Sequence, residues 1–112
     1  MSREAGFVAI WEFRVHKGTA ARFEEVYGPT GTWGTFFRAG NGYLGTELIR
    51  DLSVQGRYVT LDFWTSKEAY DAFRGEYSAR YHELDAECED LTESEQEIGQ
   101  FARVSDGGRT GP

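Results

Sequence analysis

Hydrophobic and polar positions alternate in four short stretches of the chain, and such alternation is typical of β-strands. Each stretch is rich in aromatic or β-branched residues and is bounded by glycine or polar residues. The predicted strands are Phe7–Val15, Tyr43–Arg50, Arg57–Trp64 and Ile98–Val104. Only a short polar loop separates the second strand from the third, so we expect these two to form an antiparallel hairpin.

The strand Arg57–Trp64 has two faces of different character, because successive side chains of a strand point to opposite sides of a sheet. One face is purely apolar and consists of Val59, Leu61 and Phe63. The other mixes aromatic and polar groups: Tyr58, Thr60, Asp62 and Trp64. The first strand, with Val8 and Ile10 opposite Phe7, Ala9, Trp11 and Phe13, is also apolar on both faces and therefore needs cover on both sides.

The segments between the strands carry apolar residues at helical spacing. Thr19 is expected to cap a helix that runs to about Tyr27, and a second short helix is predicted over residues 32–38. After the third strand, Thr65 and Glu68 fit a capping box. This third helix begins at Ser66, and Gly75 permits a bend in it. The strongest helical signal then follows in the apolar series Tyr77, Tyr81, Leu84, Cys88 and Leu91.

The resulting order β-α-β-β-α-β predicts an α+β domain with a ferredoxin-like antiparallel sheet. We assign residues 7–104 to this domain, residues 1–6 to a flexible N-terminus and residues 105–112 to a disordered tail. The helices cover one face of the sheet, and no remaining element covers the apolar face opposite. A homodimer formed through this helix-free face is the simplest way to cover it.

Charge and composition exclude several classes of partner. The net charge is −7, which argues against binding to nucleic acid or to an anionic membrane. Neither a signal peptide nor a membrane-spanning run is visible, so we expect a cytoplasmic protein. A single cysteine excludes an internal disulfide, and eight acidic residues between Glu83 and Glu97 are interpreted as a solvated helix face rather than a metal site. No metal or other cofactor is predicted.

Gly40, Gly42 and Gly45 match the Gly-x-Gly-x-x-Gly pattern of dinucleotide-binding proteins. That pattern needs a strand before it and a helix after it. Here a helix precedes and a strand follows, so the match is attributed to chance.

Four segments together resemble the antibiotic biosynthesis monooxygenase family: the first strand, GYLGTELIRD at residues 42–51, YVTLDFWTSKEAYDAF at residues 58–73 and the terminal strand after the long helix. The resemblance covers roughly residues 7–102. It implies a dimeric α+β barrel in which two sheets pack face to face. In some family members it also implies oxygenation of aromatic polyketides without metal or flavin, and in others degradation of haem.

The resemblance also suggests roles for individual residues. In the polyketide oxygenases a Trp, a Tyr six residues later and an Asn four residues before the Trp line the pocket; this chain has Trp64 and Tyr70 but Thr60 in place of the Asn. The haem-degrading branch uses an Asn in the first strand and a helical His. Trp11 occupies that first position, and His82 lies one residue from the second, so no haem chemistry is expected.

Asp62 is the candidate general base, because a carboxylate on a covered sheet face must be paired, hydrogen-bonded or raised in pKa. It would take a proton from a phenol or quinol, with Tyr70 donating to the oxyanion and Trp64 stacking on the ring. The predicted substrate-binding residues are Trp11, Thr60, Phe23, Trp33, Phe37 and Tyr77.

Two alternatives stay open at the level of sequence. Asp62 could instead pair with an arginine, and the aromatic residues could simply fill the core of a non-catalytic dimer that binds a small ligand or serves a structural role. A cavity of about 300 Å³ or more between sheet and helices would favour ligand binding.

Overall fold

The computed structural model describes residues 5–104, and its element order confirms the predicted α+β arrangement. The elements are β1 (Phe7–Val15), α1 (Ala20–Tyr27), α2 (Thr32–Phe37), β2 (Tyr43–Arg50), β3 (Arg57–Trp64), α3 (Lys67–Glu76), α4 (Ser78–Cys88), a 3₁₀ turn (Glu89–Leu91) and β4 (Thr92–Ala102). The four strands form one antiparallel sheet in the order β2-β3-β1-β4. This is the ferredoxin-like order, with the two central strands supplied by β1 and β3.

The last strand begins six residues earlier than predicted. Thr92–Glu97 is acidic and lacks the alternation of a half-buried strand, but it pairs with β1 from Val15 to Trp11. A register shift between Ile10 and Trp11 leaves Ile98 as the extra residue of a bulge. Backbone pairing with β1 therefore overrides the weak strand propensity of this segment.

Two local details of the third helix also differ from prediction. The N-cap is Ser66, not Thr65, and its hydroxyl accepts a hydrogen bond of 3.1 Å from the backbone N–H of Ala69. The helical stretch is interrupted at Tyr77 rather than at Gly75, which lies within α3. At this interruption Tyr77 packs against the Phe73 ring, with ring centroids 4.9 Å apart.

The expected flexible N-terminus is ordered at its last two residues. Ala5 is buried, and the Gly6 N–H donates to the Trp64 carbonyl at 3.1 Å. The Gly6 carbonyl in turn accepts from the Arg103 N–H. The predicted disordered tail, residues 105–112, lies outside the described residues, as do residues 1–4.

The core lies between the helices and one face of the sheet. On β3 the residues of the mixed face are all buried, whereas the apolar face is only half-buried. Both results agree with the predicted placement of the helices on one side. Cross-strand pairing shows which apolar residues share the helix-free face of the sheet. They are Val8, Ile10, Ile49, Val59, Leu61, Phe63 and Phe101.

Local structure explains why glycine is needed at two positions of the rejected nucleotide pattern. A Cβ on Gly40 would lie 2.7 Å from the Phe73 ring and 2.9 Å from the Trp64 ring. Gly42 has φ of +99°, a left-handed conformation that favours glycine. As predicted, a helix precedes this segment and a strand follows it.

Candidate functional site

The centre of the site is Asp62, a buried carboxylate on β3 that is held by two residues of β2. Its Oδ1 accepts a hydrogen bond of 2.7 Å from the Thr46 hydroxyl. The Thr46 Oγ1 lies 2.5 Å from the Tyr43 hydroxyl. Since the single proton of Thr46 is used toward Asp62, Tyr43 is the donor in the second bond. The three side chains therefore form a directed hydrogen-bond chain that ends on the carboxylate.

Asp62 has no cation beside it among the described residues, so the arginine pairing considered from sequence is wrong. Burial raises the pKa of Asp62 to about 6, and the hydrogen bond from Thr46 opposes this rise. Desolvation dominates because the residue is only 8% exposed. A carboxylate of this kind takes up and releases a proton close to neutral pH, as a general base must.

Asp62 borders a cavity between the sheet and the helices. Its lining consists of Trp11, Phe13, Tyr27, Trp33, Phe37, Thr46, Thr60, Asp62, Tyr81, Asp85 and Glu95. The cavity volume is about 40 Å³, enough for roughly three waters. This is far below the volume of about 300 Å³ that would favour ligand binding, so a ring-sized ligand would require the cavity walls to move apart.

The predicted site residues fall into two groups. Trp11, Trp33, Phe37, Thr60 and Asp62 all line the cavity, while Trp64, Tyr70, Phe23 and Tyr77 do not. Phe23 is fully buried and stacks on Tyr27 at 4.3 Å. Tyr77 packs against Phe36 and Phe73. The second group belongs to the packing that surrounds the cavity.

Trp64 is a core residue in this structure. It is fully buried, and its ring lies within 6 Å of the rings of Phe37, Tyr43, Tyr70 and Phe73. Its indole N–H finds no hydrogen-bond partner among residues 5–104. Trp64 thus closes the end of the helix-covered space by packing rather than by a polar contact.

Tyr70 is linked to the cavity wall through Arg74. The Arg74 Nη1 donates to the Tyr70 hydroxyl at 2.6 Å, and the guanidinium stacks 3.9 Å from the centre of the Tyr81 ring. Burial raises the pKa of the Tyr70 phenol, whereas Arg74 opposes that rise. Because Tyr70 accepts from Arg74, its own proton stays available for donation.

The cavity lining also includes two further acidic residues, Asp85 on α4 and Glu95 on β4. Partial desolvation and the neighbouring Asp85 carboxyl together raise the pKa of Glu95 to about 7, although its side chain is largely exposed at the mouth. Trp33 is 8% exposed, and its buried indole N–H is without a partner in the described part of the chain. This N–H is near enough to the Tyr27 hydroxyl and the Cys88 thiol to influence both pKa values, yet it reaches hydrogen-bond geometry with neither.

Sequence reasoning missed six of the residues around the cavity: Phe13, Tyr27, Thr46, Tyr81, Asp85 and Glu95. Thr46 could have been found by counting back along the hairpin, because the bond from the Asp51 N–H to the Arg57 carbonyl fixes a register that places Thr46 opposite Asp62. Glu95 gave no such signal, since its strand was assigned to start three residues after it.

Within residues 5–104, no group of three or more histidine, cysteine or acidic side chains is arranged to hold a metal ion. The helices of the same range are all too short or too polar to span a membrane.

The sequence profile of antibiotic biosynthesis monooxygenases matches residues 6–84. The chain belongs to the antibiotic biosynthesis monooxygenase family. The match spans three of the four predicted segments of resemblance, from the start of β1 into α4, and ends before the terminal strand. No curated protein matches the chain.

Solved structures with the same fold include two oxygenases from Streptomyces. A mutant of SnoaB, a cofactor-independent oxygenase from Streptomyces nogalater, has a TM-score of 0.73 and 20% identity, with 93% of this chain and 98% of that chain covered. The monooxygenase from the ActVA-Orf6 gene of Streptomyces coelicolor, in complex with Nanaomycin D, has a TM-score of 0.71 and 23% identity over 92% and 91% of the two chains. PA3566 from Pseudomonas aeruginosa has a TM-score of 0.62 at 17% identity, covering 90% and 96%.

Proposed function

We propose that this chain is a monooxygenase that uses O₂ without metal or flavin to oxidise a small phenolic or quinol ring. Family membership supports the reaction class. The single observation that carries the proposal is the buried Asp62 carboxylate, which has no compensating cation and borders a cavity with aromatic walls. The Thr46 hydroxyl satisfies one oxygen of this carboxylate, but no cation among the described residues compensates its buried charge.

Asp62 removes a proton from the ring substrate, and the anion that forms transfers electrons to O₂. A hydroperoxide then forms at the ring carbon, and its loss of water leaves a carbonyl group. One oxygen atom of O₂ is thus kept in the product and the other leaves as water. The protein needs to deprotonate, orient and shield the substrate. Tyr70 was predicted to donate to the oxyanion, but it does not line this cavity, so its hydroxyl, which is held by Arg74, is given no step in this reaction.

The test is oxygen uptake with a panel of anthrone- and quinol-type compounds, run with and without added metal and flavin. Asp62→Asn should lower the rate about 100- to 10,000-fold, the usual contribution of a general base, because the amide cannot accept the proton. Asp71→Asn is the matched control, since Asp71 is an exposed residue paired with Lys67. An Asp62→Asn enzyme with the wild-type rate would refute the assignment.

A second candidate function is favoured by the small enclosed volume. Aromatic rings fill most of the space under the helices, and about 40 Å³ remains enclosed. A non-catalytic dimer that binds a small ligand, or that is purely structural, would have such a core. Silence of the whole panel in the uptake assay would favour this function.

Either function involves a dimer formed through the helix-free face of the sheet. Val59, Leu61 and Phe63 are only half-buried in the single chain. Ile49 and Phe101 lie on the same face and are 50% and 46% exposed. Apolar side chains on all four strands, interrupted by Glu47 beside Leu61 and Glu12 beside Val59, support a second copy as the cover of this face.

A further inference from the structure

Tyr43 is the outer member of the hydrogen-bond chain that ends on Asp62, and deprotonation of a ring substrate leaves its phenol unused. Its hydroxyl donates to Thr46, and the Thr46 hydroxyl donates to Asp62. Both donors therefore point toward the carboxylate. A shift of each proton along its own hydrogen bond would remove a proton from Tyr43 and place one on Asp62, without moving a heavy atom.

This arrangement suits a phenol that gives up an electron. A phenol that loses an electron becomes a strong acid, so its oxidation is favoured where a base takes the proton in the same step. Asp62 is such a base, because its buried carboxylate has no cation beside it among residues 5–104. Tyr70 is the opposite case, since its hydroxyl accepts from the Arg74 cation, and a neighbouring positive charge opposes oxidation of the ring.

The Tyr43 ring also contacts the aromatic residues at the cavity. Its centroid lies 5.5 Å from that of Phe37, which lines the cavity, and 5.2 Å from that of Trp64. Trp64 is fully buried, and its indole N–H has no partner in the described part of the chain. An oxidised Trp64 therefore has no group to take its proton and would regain an electron from Tyr43. Tyr43 is half-buried, so a reductant in solution can reach it.

We propose that Tyr43 is a redox-active tyrosine, which supplies one electron to an oxidising radical in the cavity while its proton passes through Thr46 to Asp62. The oxidant is the peroxyl radical that forms when a one-electron-oxidised ring adds O₂, and this part rests on the proposed function. The peroxyl radical gains the electron from Tyr43 and a proton from Asp62, and it becomes a hydroperoxide. Asp62 is then ionised again, and the neutral tyrosyl radical takes a hydrogen atom from a donor in solution such as ascorbate. The aromatic core is thus protected from oxidation.

The test of the redox role needs no substrate. Flash photolysis of a ruthenium(II) complex with a sacrificial electron acceptor generates a strong one-electron oxidant in a solution of the wild-type protein at pH 8. A nitroso spin trap captures the tyrosyl radical, and mass spectrometry locates the adduct. Trypsin releases Tyr43 in residues 39–50 and Tyr58 in residues 58–67, so each of these peptides contains a single tyrosine. Most of the adduct should lie on Tyr43.

Two variants distinguish a redox role from the exposure of a phenol. Thr46→Val breaks the chain and Asp62→Asn removes the base, so each should lower the yield of the Tyr43 adduct about tenfold or more, although Tyr43 itself is unchanged. Tyr58→Phe is the matched control. Tyr58 also donates to a carboxylate, that of Glu24, but it lies at the other end of β3. Its loss should leave the Tyr43 adduct unchanged.

The pH dependence of the wild type gives a result that is independent of variant folding. Burial raises the pKa of Asp62 to about 6, so the carboxylate can take a proton above that pH and already holds one below it. The yield of the Tyr43 adduct should therefore fall between pH 8 and pH 5. The other ionisable groups around the chain are Arg38, Tyr70, Tyr81, Asp85 and Glu95. Since the pKa of Glu95 is about 7, Glu95→Gln is the control and should keep the same fall.

The redox role is refuted if the adduct forms mainly on other tyrosines, if it persists on Tyr43 in Thr46→Val and Asp62→Asn, or if its yield does not change with pH. Oxygen uptake judges the proposed function separately. Uptake without a Tyr43 radical would remove the redox role alone, and a Tyr43 radical without uptake would remove the oxygenase alone. During uptake, Tyr43→Phe should lose activity within fewer turnovers than the wild type, and equal numbers of turnovers would refute the protective role.

Discussion

On β3, Thr60 and Asp62 are 4% and 8% exposed, whereas Val59, Leu61 and Phe63, which alternate with them, are all partly exposed. The more polar face of the strand is therefore the better-buried one. Helices α1 to α4 pack over it, and no described element covers the apolar face. Burial in a single chain follows the topology of the helices, and hydrophobicity does not predict it here.

Each face of β3 is mismatched with its environment. A half-exposed apolar surface that spans the sheet lacks a partner that would remove it from water. A buried carboxylate without a cation lacks the charge compensation that structural carboxylates have. The proposed dimer would relieve the first mismatch, and uptake of a proton by Asp62 would relieve the second.

The largest expected effect comes from placing a charge on the apolar face. Leu61→Asp would bury an unpaired carboxylate in the dimer interface, so we expect a dimer at micromolar concentration to become a monomer, with affinity reduced about a hundredfold or more. Sedimentation velocity of the two proteins measures this change. Leu52→Asp is the matched control, because Leu52 is 92% exposed in the β2–β3 loop. If the wild type is a monomer, or if Leu61→Asp remains a dimer, the apolar face of β3 is not a dimer interface and the prediction is wrong.

A smaller effect is expected when the charge of the polar face is removed. The pKa of Asp62 rises from 3.8 to about 6 on folding, so the folded state holds the proton more tightly than the unfolded chain. Stability from this group is complete below about pH 4 and is lost as pH rises toward 6. The difference of about two pKa units corresponds to about 3 kcal/mol at neutral pH.

Asp62→Asn should therefore stabilise the protein by about 1–3 kcal/mol at pH 7 and by almost nothing at pH 4, while it abolishes turnover. Urea unfolding at a fixed protein concentration over pH 4–8 measures the difference between variant and wild type. If Asp62→Asn is instead less stable than the wild type at pH 7, the ionised carboxylate is held by a favourable interaction. Its burial would then not be unfavourable, and this prediction would be wrong.

The alternation of residues was sufficient to predict both faces of β3, because a period of two fixes which side chains share a side. It also predicted β1 and the β2–β3 hairpin, whereas the apolar stripe of α4 was predicted from residues spaced three and four apart. It missed the first half of β4, since Thr92–Glu97 is held by backbone pairing to β1 and its side chains are exposed. A strand of this kind carries no periodic signal.

The candidate site was predictable only in part, because only some of its residues lie on strands with an alternating pattern. Asp62, Thr60 and Trp11 were found because their own strands reveal the covered face. Trp64 and Tyr70 came from the family resemblance, and the structure places them in packing beside the cavity. Glu95 could not be found, because its contact with Asp85 depends on the pairing of β4 with β1.

The smallest expected effect concerns the pKa of Asp62 and its control by the hydrogen bond from Thr46. The Thr46 hydroxyl donates to Asp62 and so stabilises the ionised form, which lowers the pKa of the carboxyl. Thr46→Val keeps the shape of the side chain and removes the donor, so the pKa of Asp62 should rise above its wild-type value of about 6. Carbon-detected NMR titration of the Asp62 carboxyl measures the shift, and the midpoint of the rate–pH profile should move upward with it.

Thr35→Val, an exposed change on α2, is the control and should change neither the pKa of Asp62 nor the midpoint of the rate–pH profile. An unchanged or lowered pKa in Thr46→Val would mean that water or another group replaces the hydroxyl, and the Tyr43–Thr46–Asp62 chain would then have no influence on the proton that the reaction transfers.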